Sequence, residues 1–291
     1  MTRNRLTACV LSISVVGCAS VRTDCPMLLE PAAATEIGFG PCEGSGGRLD
    51  CHARTVLVAG PEVTRAVWVR LPLGVAPASG WPVVLAFQGS YFSPEHFFVD
   101  EPGLFDLFGS STETEVAARL LAAGFAVLAP DAITHDLFWE TNLPWIAHKW
   151  TGSSDDLFLS SLFDFIAKGA FGPLDASRLY AIGMSSGGYM ASRMAVSYPG
   201  RFRALAIASA SYATCFGIFC SAPDTLPADH PPTLFLHGLL DPVVPEWTMA
   251  SYHRSLRDAG RESCKIVHTW AGHRWIPEAP LAVVRWFNQH P

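Results

Sequence analysis

Short apolar runs alternate with segments of helical period along most of this chain, and that alternation leaves few architectures open. Residues 82–87 and 125–129 are apolar without a break, the mark of strands covered on both faces rather than on one. Further strand-like runs fall at 54–59, 63–71, 179–184, 204–208, 233–237 and 265–270. Helical patterning occupies 114–123, 155–170, 186–197, 247–259 and 280–289. The order predicts an α/β fold, a mostly parallel central sheet with helices on both faces. A chain of 291 residues, 49% hydrophobic and 16% charged, can bury a full core and is not generally disordered. The net charge of −6, with no basic cluster beyond Arg3 and Arg5, argues against a nucleic-acid groove.

The chemistry centres on Gly183-Met184-Ser185-Ser186-Gly187-Gly188, which follows a strand and opens a helix. That is the context of a nucleophile elbow on the α/β-hydrolase fold, in which a tight turn lifts a serine to the carboxyl edge of the sheet. A serine hydroxyl needs a base, and the base needs an orienting acid. On this fold the acid and then the histidine follow the nucleophile in the chain. Asp241 lies just after the run 233–237 and His273 just after 265–270, so both can meet Ser185 at one edge. Asp224 and Asp229 read as turn residues, His237 as a support for the acid loop, and His230 and His253 as misplaced for a base. The oxyanion needs two backbone N–H donors; Ser186 supplies one and Ser90, in the loop after 82–87, the other. No metal or organic cofactor is required for such a reaction.

The first residues read as a targeting segment. Arg3 and Arg5 precede an apolar stretch too short to span a bilayer, ending in Val15-Val16-Gly17-Cys18. This tetrapeptide resembles a bacterial lipobox, which implies cleavage before Cys18, lipid on its sulfur and export to an outer membrane or beyond. Residues 1–17 are expected as the signal peptide, 18–50 as a tether and irregular lead-in, and 51–291 as the catalytic domain. Six further cysteines, Cys25, Cys42, Cys51, Cys215, Cys220 and Cys264, suit disulfides in an exported protein. Cys215 and Cys220 can close a small loop, and the other four allow three pairings.

The run from Asp175 to Met194, with its Arg178-Leu-Tyr-Ala-Ile-Gly183 approach to Ser185 and the Tyr189-Met-Ala-Ser-Arg193 that follows, is similar to extracellular polyhydroxyalkanoate depolymerases and the related feruloyl esterases. Asp241 in its His-Gly…Asp-Pro-Val-Val-Pro loop and His273 ahead of Trp275 match the same pattern. Within that group the chain looks most like the medium-chain-length enzymes. The resemblance implies a secreted serine hydrolase acting on esters, its partner a hydrophobic polyester surface. Contact with a membrane is expected only through Cys18. Apolar candidates for substrate contact are Tyr91, Trp139, Trp145, Met184 and Trp275, with Phe92 and Trp247 beside them. Two other readings compete: a feruloyl- or acetyl-xylan-type carboxylesterase, and a non-catalytic surface lipoprotein that binds apolar material.

Overall fold

The computed structural model describes residues 20–30, 38–45, 48–100, 103–132, 138–142, 149–216, 218–223 and 225–291. Eleven strands are found among them: β1 (Val21–Thr23), β2 (Glu43–Ser45), β3 (Arg48–Asp50), β4 (Arg54–Ala59), β5 (Thr64–Arg70), β6 (Trp81–Phe87), β7 (Ala126–Pro130), β8 (Leu174–Met184), β9 (Phe202–Ala208), β10 (Thr233–Gly238) and β11 (Ser263–His268). The helices are α1 (Ser110–Ala122), α2 (Ser154–Ala167), α3 (Ser186–Ser197), α4 (Glu246–Asp258) and α5 (Ala279–Asn288). Nine strands make one sheet in the order β1-β11-β10-β9-β8-β6-β7-β5-β4, and β2 pairs with β3 apart from it. The six strands from β7 across to β11 run parallel; β1, β4 and β5 join in antiparallel pairings. The expected α/β-hydrolase architecture is what the chain adopts.

The unbroken apolar runs have a direct cause. Along β6, Val83, Leu85 and Phe87 face one core and Val84 and Ala86 the other, and all five are fully buried. The first core is closed by Phe158 and Leu162 of α2, Met190 and Met194 of α3, and Tyr252 of α4. The second is closed by Val116 and Leu120 of α1 and Val283 and Phe287 of α5.

The lead-in departs from expectation. Residues 21–23 are not part of a tether: β1 pairs antiparallel with β11, and Cys25 is joined to Cys264. The other disulfides are Cys42–Cys51 and the expected small loop Cys215–Cys220. The pattern missed β1 because three residues show no periodicity.

Two carboxyls sit deep in the domain under opposite conditions. Asp155 at the start of α2 is ion-paired with Arg65 of β5 and also accepts the Glu140 N–H, at 2.6 Å. Glu113 on α1 is 2% exposed, and one of its carboxylate oxygens has no hydrogen-bond partner. Burial pushes its carboxyl up to about 8, eased only in part by the Trp275 indole. Below the ordinary glutamate range both folded and unfolded chains hold this proton. As pH rises towards 8 the unfolded chain releases it first, so stability is lost over that window. Glu113→Gln removes the penalty. We expect the variant to be more stable than the parent at pH 8, by on the order of a few kcal/mol, with the two converging near pH 4.5. Urea unfolding of both proteins across that range checks this, and a constant difference would mean that Glu113 is ionised in the folded protein.

Candidate active site

β8 ends at Met184, and the chain turns at Ser185 with φ 55° and ψ −122° before α3 begins. A non-glycine residue in that region is strained, and the surroundings hold it there. The Ser185 N–H donates to the Ala208 carbonyl of β9 at 3.0 Å, and the Ser185 carbonyl accepts the Tyr189 N–H in the first turn of α3. The helix packs so tightly on β6 that a Cβ at Gly187 would collide with the Phe87 carbonyl oxygen.

The acid and the histidine lie on the next loops along the same edge. Gly238 ends β10 against the Ala271 and Gly272 carbonyls, with no room for a Cβ, which brings the two loops together. Asp241 Oδ2 and His273 Nδ1 are 2.8 Å apart. Asp241 Oδ1 accepts the N–H groups of Val243 and Val244, at 2.9 and 2.8 Å. Burial alone would raise this carboxyl, but the His273 hydrogen bond and charge and the Val244 N–H outweigh it and hold it below the usual carboxylate range. An ionised Asp241 fixes the proton of His273 on Nδ1 and leaves Nε2 as the basic nitrogen. His237 supports the loop as expected: its Nε2 lies 2.9 Å from the Val244 carbonyl, and burial lowers its basicity. The His273 loop is fastened by the Trp275 N–H to the Phe108 carbonyl (3.0 Å) and by the Ser209 hydroxyl to the Arg274 carbonyl (3.2 Å).

Ser185 opens into a cavity of about 260 Å³, lined also by Ser90, Ser186 and Tyr189, by Phe138 and Asn142, and by Phe216, Val243 and Val244. Both residues expected to bear the oxyanion donors thus share the cavity with Ser185. Tyr189 and the two valines were missed as lining. Tyr189 stands one helical turn beyond Ser185, and the valines come two and three residues after Asp241, so spacing from the motif could have found them.

The expected apolar contacts are mostly not at the surface. Trp139, Met184 and Trp275 are buried, at 0%, 2% and 1% exposure, and Phe92 is buried as well. None of the four lines the cavity. Trp139 is a brace instead. Its indole N–H donates to the Gln88 carbonyl at 3.2 Å, and its backbone N–H to the Ser186 hydroxyl at 2.9 Å. It therefore ties the loop that carries Ser90 to the start of α3 at Ser186. Tyr91 is exposed beside Ser90, and Trp247 is half-exposed at the start of α4. Trp145, Cys18 and Asp224 lie outside the described residues. Asp229, with His230, lies at the opposite edge of the sheet. Among the described residues one group has the closeness of metal ligands, Asp24, Cys25 and Cys264, and both its sulfurs are spent in a disulfide.

No family model matches the chain. It is 50% identical over 240 residues to the poly(3-hydroxyoctanoate) depolymerase of Pseudomonas fluorescens, covering 82% of this chain and 85% of that protein. Among solved structures it resembles the acetyl xylan esterase of Aspergillus awamori (TM-score 0.60, 16% identity, 81% of this chain and 98% of that one). It also resembles esterase 2 of Thermogutta terrifontis (TM-score 0.52, 16% identity, 81% and 91%). At such identities the structures establish the fold alone. The relative at half identity establishes more: the chain belongs to the family of the poly(3-hydroxyoctanoate) depolymerase, built on the α/β-hydrolase fold.

Proposed function

We infer that the protein is a serine carboxylic ester hydrolase that depolymerises medium-chain-length polyhydroxyalkanoate. The observation that carries the reading is the Asp241–His273 pair, 2.8 Å apart, on the sheet edge where the strained Ser185 opens into a largely apolar cavity. Ser185, Asp241 and His273 form the triad. His273 Nε2 takes the hydroxyl proton as Ser185 Oγ attacks the ester carbonyl. The N–H groups of Ser90 and Ser186 receive the oxyanion. The intermediate collapses, His273 protonates the departing hydroxyl of the next polymer unit, and an acyl-enzyme remains. Water, giving its proton to His273, attacks that ester and releases the hydroxyacid with Ser185 restored. Asp241 stays ionised throughout and offsets the imidazolium charge.

The substrate assignment is supported by the half-identical relative and by the lining. Phe138, Tyr189, Phe216, Val243 and Val244 suit an alkyl side chain better than a sugar. The three disulfides support export to an oxidising compartment. The lipobox resemblance supports lipid attachment at Cys18 and retention at an outer membrane.

The reading is tested by clearing of matched emulsions of a medium-chain polyhydroxyalkanoate and poly(3-hydroxybutyrate), with a soluble feruloyl ester alongside. We expect clearing of the medium-chain polymer alone and its loss in Ser185→Ala, by roughly a thousandfold or more. Turnover of the feruloyl ester without clearing would keep the hydrolase and refute the polymer. Asp241→Asn should lower kcat by about four orders of magnitude with KM little changed, because the imidazole proton is no longer fixed on Nδ1. Trp139→Phe fills nearly the same space but loses the indole donor to Gln88. We expect kcat to fall about tenfold with KM within a factor of about two, the signature of a loosened oxyanion site; an equal rise in KM would instead make Trp139 a substrate contact.

A further inference from the structure

The chain leaves β9 on the catalytic edge of the sheet and forms a small loop, fixed at its root and apolar beyond it. Cys215 is buried in the core, Cys220 packs against the same core, and the two are joined. The Phe216 and Phe219 N–H groups each donate to the other's carbonyl, at 2.9 Å. The root is tied down from two directions. The Asn142 side-chain amide donates to the Cys215 carbonyl at 3.1 Å, and the Ser211 hydroxyl to the Thr248 carbonyl of α4 at 2.8 Å. Cys220 Sγ lies 3.3 Å from that same hydroxyl. The loop and the start of α4 are therefore held as one piece.

Nothing in this scaffold calls for large apolar side chains on its outside. The disulfide and the backbone hydrogen bonds would close a turn of serines and asparagines equally well. Yet Ile218 and Phe219 are 64% and 76% exposed. Residues 204–223 hold no charged side chain. Such a surface suits a neutral, hydrocarbon-rich partner, because the fixed backbone has little freedom left to lose on contact and no ion has to be stripped of water. Its position says which partner. Phe216 lines the cavity into which Ser185 opens, and so does Val243 of the acid loop. Their chain neighbours Ile218, Phe219, Leu240 and Trp247 are half-exposed or more, so the apolar lining of the cavity continues onto the surface. A polymer with one unit in the cavity must lay its adjoining units over that surface.

We propose that Phe216, Ile218 and Phe219, with Leu240, Val243 and Trp247, form an adsorption track for the alkyl side chains of the polyester, contiguous with the cavity, and that the loop closed by Cys215–Cys220 is its rigid part. Adsorption there holds the polymer at the mouth of the site without touching the reacting atoms. The proposal deepens the polymer reading of the substrate and rests on it.

Leu73 and Val75, 66% and 95% exposed, are a matched apolar pair that does not line the cavity, and they serve as the control. Binding to particles of a medium-chain polyhydroxyalkanoate is measured in a Ser185→Ala background, which leaves the particles intact. Ile218→Ser with Phe219→Ser should weaken adsorption about tenfold, and Leu73→Ser with Val75→Ser should leave it within about twofold. With Ser185 restored, both double variants should turn over a soluble ester within about twofold of the parent, which also shows that they fold, and only the first should clear the emulsion more slowly, by about fivefold or more. Undiminished adsorption in the Ile218/Phe219 variant overturns the track. So does an equal loss in the Leu73/Val75 variant, which would make adsorption a property of the whole surface. A soluble-ester rate that falls in step with adsorption overturns it too, by placing the two side chains at the reacting ester. Sedimentation of both proteins adds a further arm: a dimer lost in the Ile218/Phe219 variant, with adsorption kept, would assign the surface to a second copy of the chain. The two readings fail separately. Adsorption through the loop by an active parent that clears no polymer would refute polymer hydrolysis and keep the track; clearing by the parent with equal adsorption by the variant would do the reverse.

Discussion

Strands buried on both faces cannot be joined by hairpins along their length; they must be joined by crossovers, and the rest of this molecule follows from that. Each helix that covers β6, β8, β9 or β10 returns the chain to the amino edge, and each strand delivers it again to the carboxyl edge. Residues far apart in sequence, Ser185, Asp241 and His273, are thus deposited on adjacent loops without any contact designed to find them. What is designed is the closeness of those loops. Gly187 lets α3 press on the end of β6, and Gly238 lets the acid loop press on the histidine loop. A methyl group at either point would push apart elements that the chemistry needs within hydrogen-bonding reach.

The electrostatics of the edge are arranged with similar economy. Two histidines approach Asp241, and their surroundings differ. His237 is wholly buried, which lowers its basicity, and its Nε2 lies 2.9 Å from the Val244 carbonyl. His273 takes the stronger contact with the carboxylate, 2.8 Å against 3.5 Å. The Val243 and Val244 N–H groups add to the His273 hydrogen bond and charge that hold the Asp241 carboxyl below its usual range. Glu113, beside the Trp275 indole, is the opposite case: among the described residues no cation compensates it, and burial pushes its carboxyl up to about 8.

The parallel sheet, and the meeting of Asp241 and His273 along the edge where Ser185 turns, were legible in sequence because each rests on a local pattern. Both-face burial writes an unbroken apolar run, and a nucleophile elbow writes small residues around a serine. Exposure was not legible. Trp139, Met184 and Trp275 have the composition of a greasy binding surface, yet they are core. An indole that braces two loops and one that touches substrate leave the same letter in the chain, and only the partners distinguish them. β1 was invisible for a different reason. Its three residues join the sheet by pairing with a strand more than 240 positions away and by a disulfide to Cys264, and neither constraint has a local signature.

The same two facts, a braced interior and a non-local entry strand, bear on how a rigid site can act on an insoluble substrate. The cavity at Ser185, about 260 Å³, is small beside the usual range for ligand pockets, so a polymer can present only one unit at a time. The remainder must lie across the surface outside it, and there the side chains are Tyr91, Phe219, Leu240 and Trp247 rather than charges. Trp139 holds Gln88 and Ser186 from beneath, so that this outer surface can meet an irregular interface without disturbing them. Specificity at such a site is divided: the cavity selects the acyl unit, and the rim selects the kind of surface from which it is drawn.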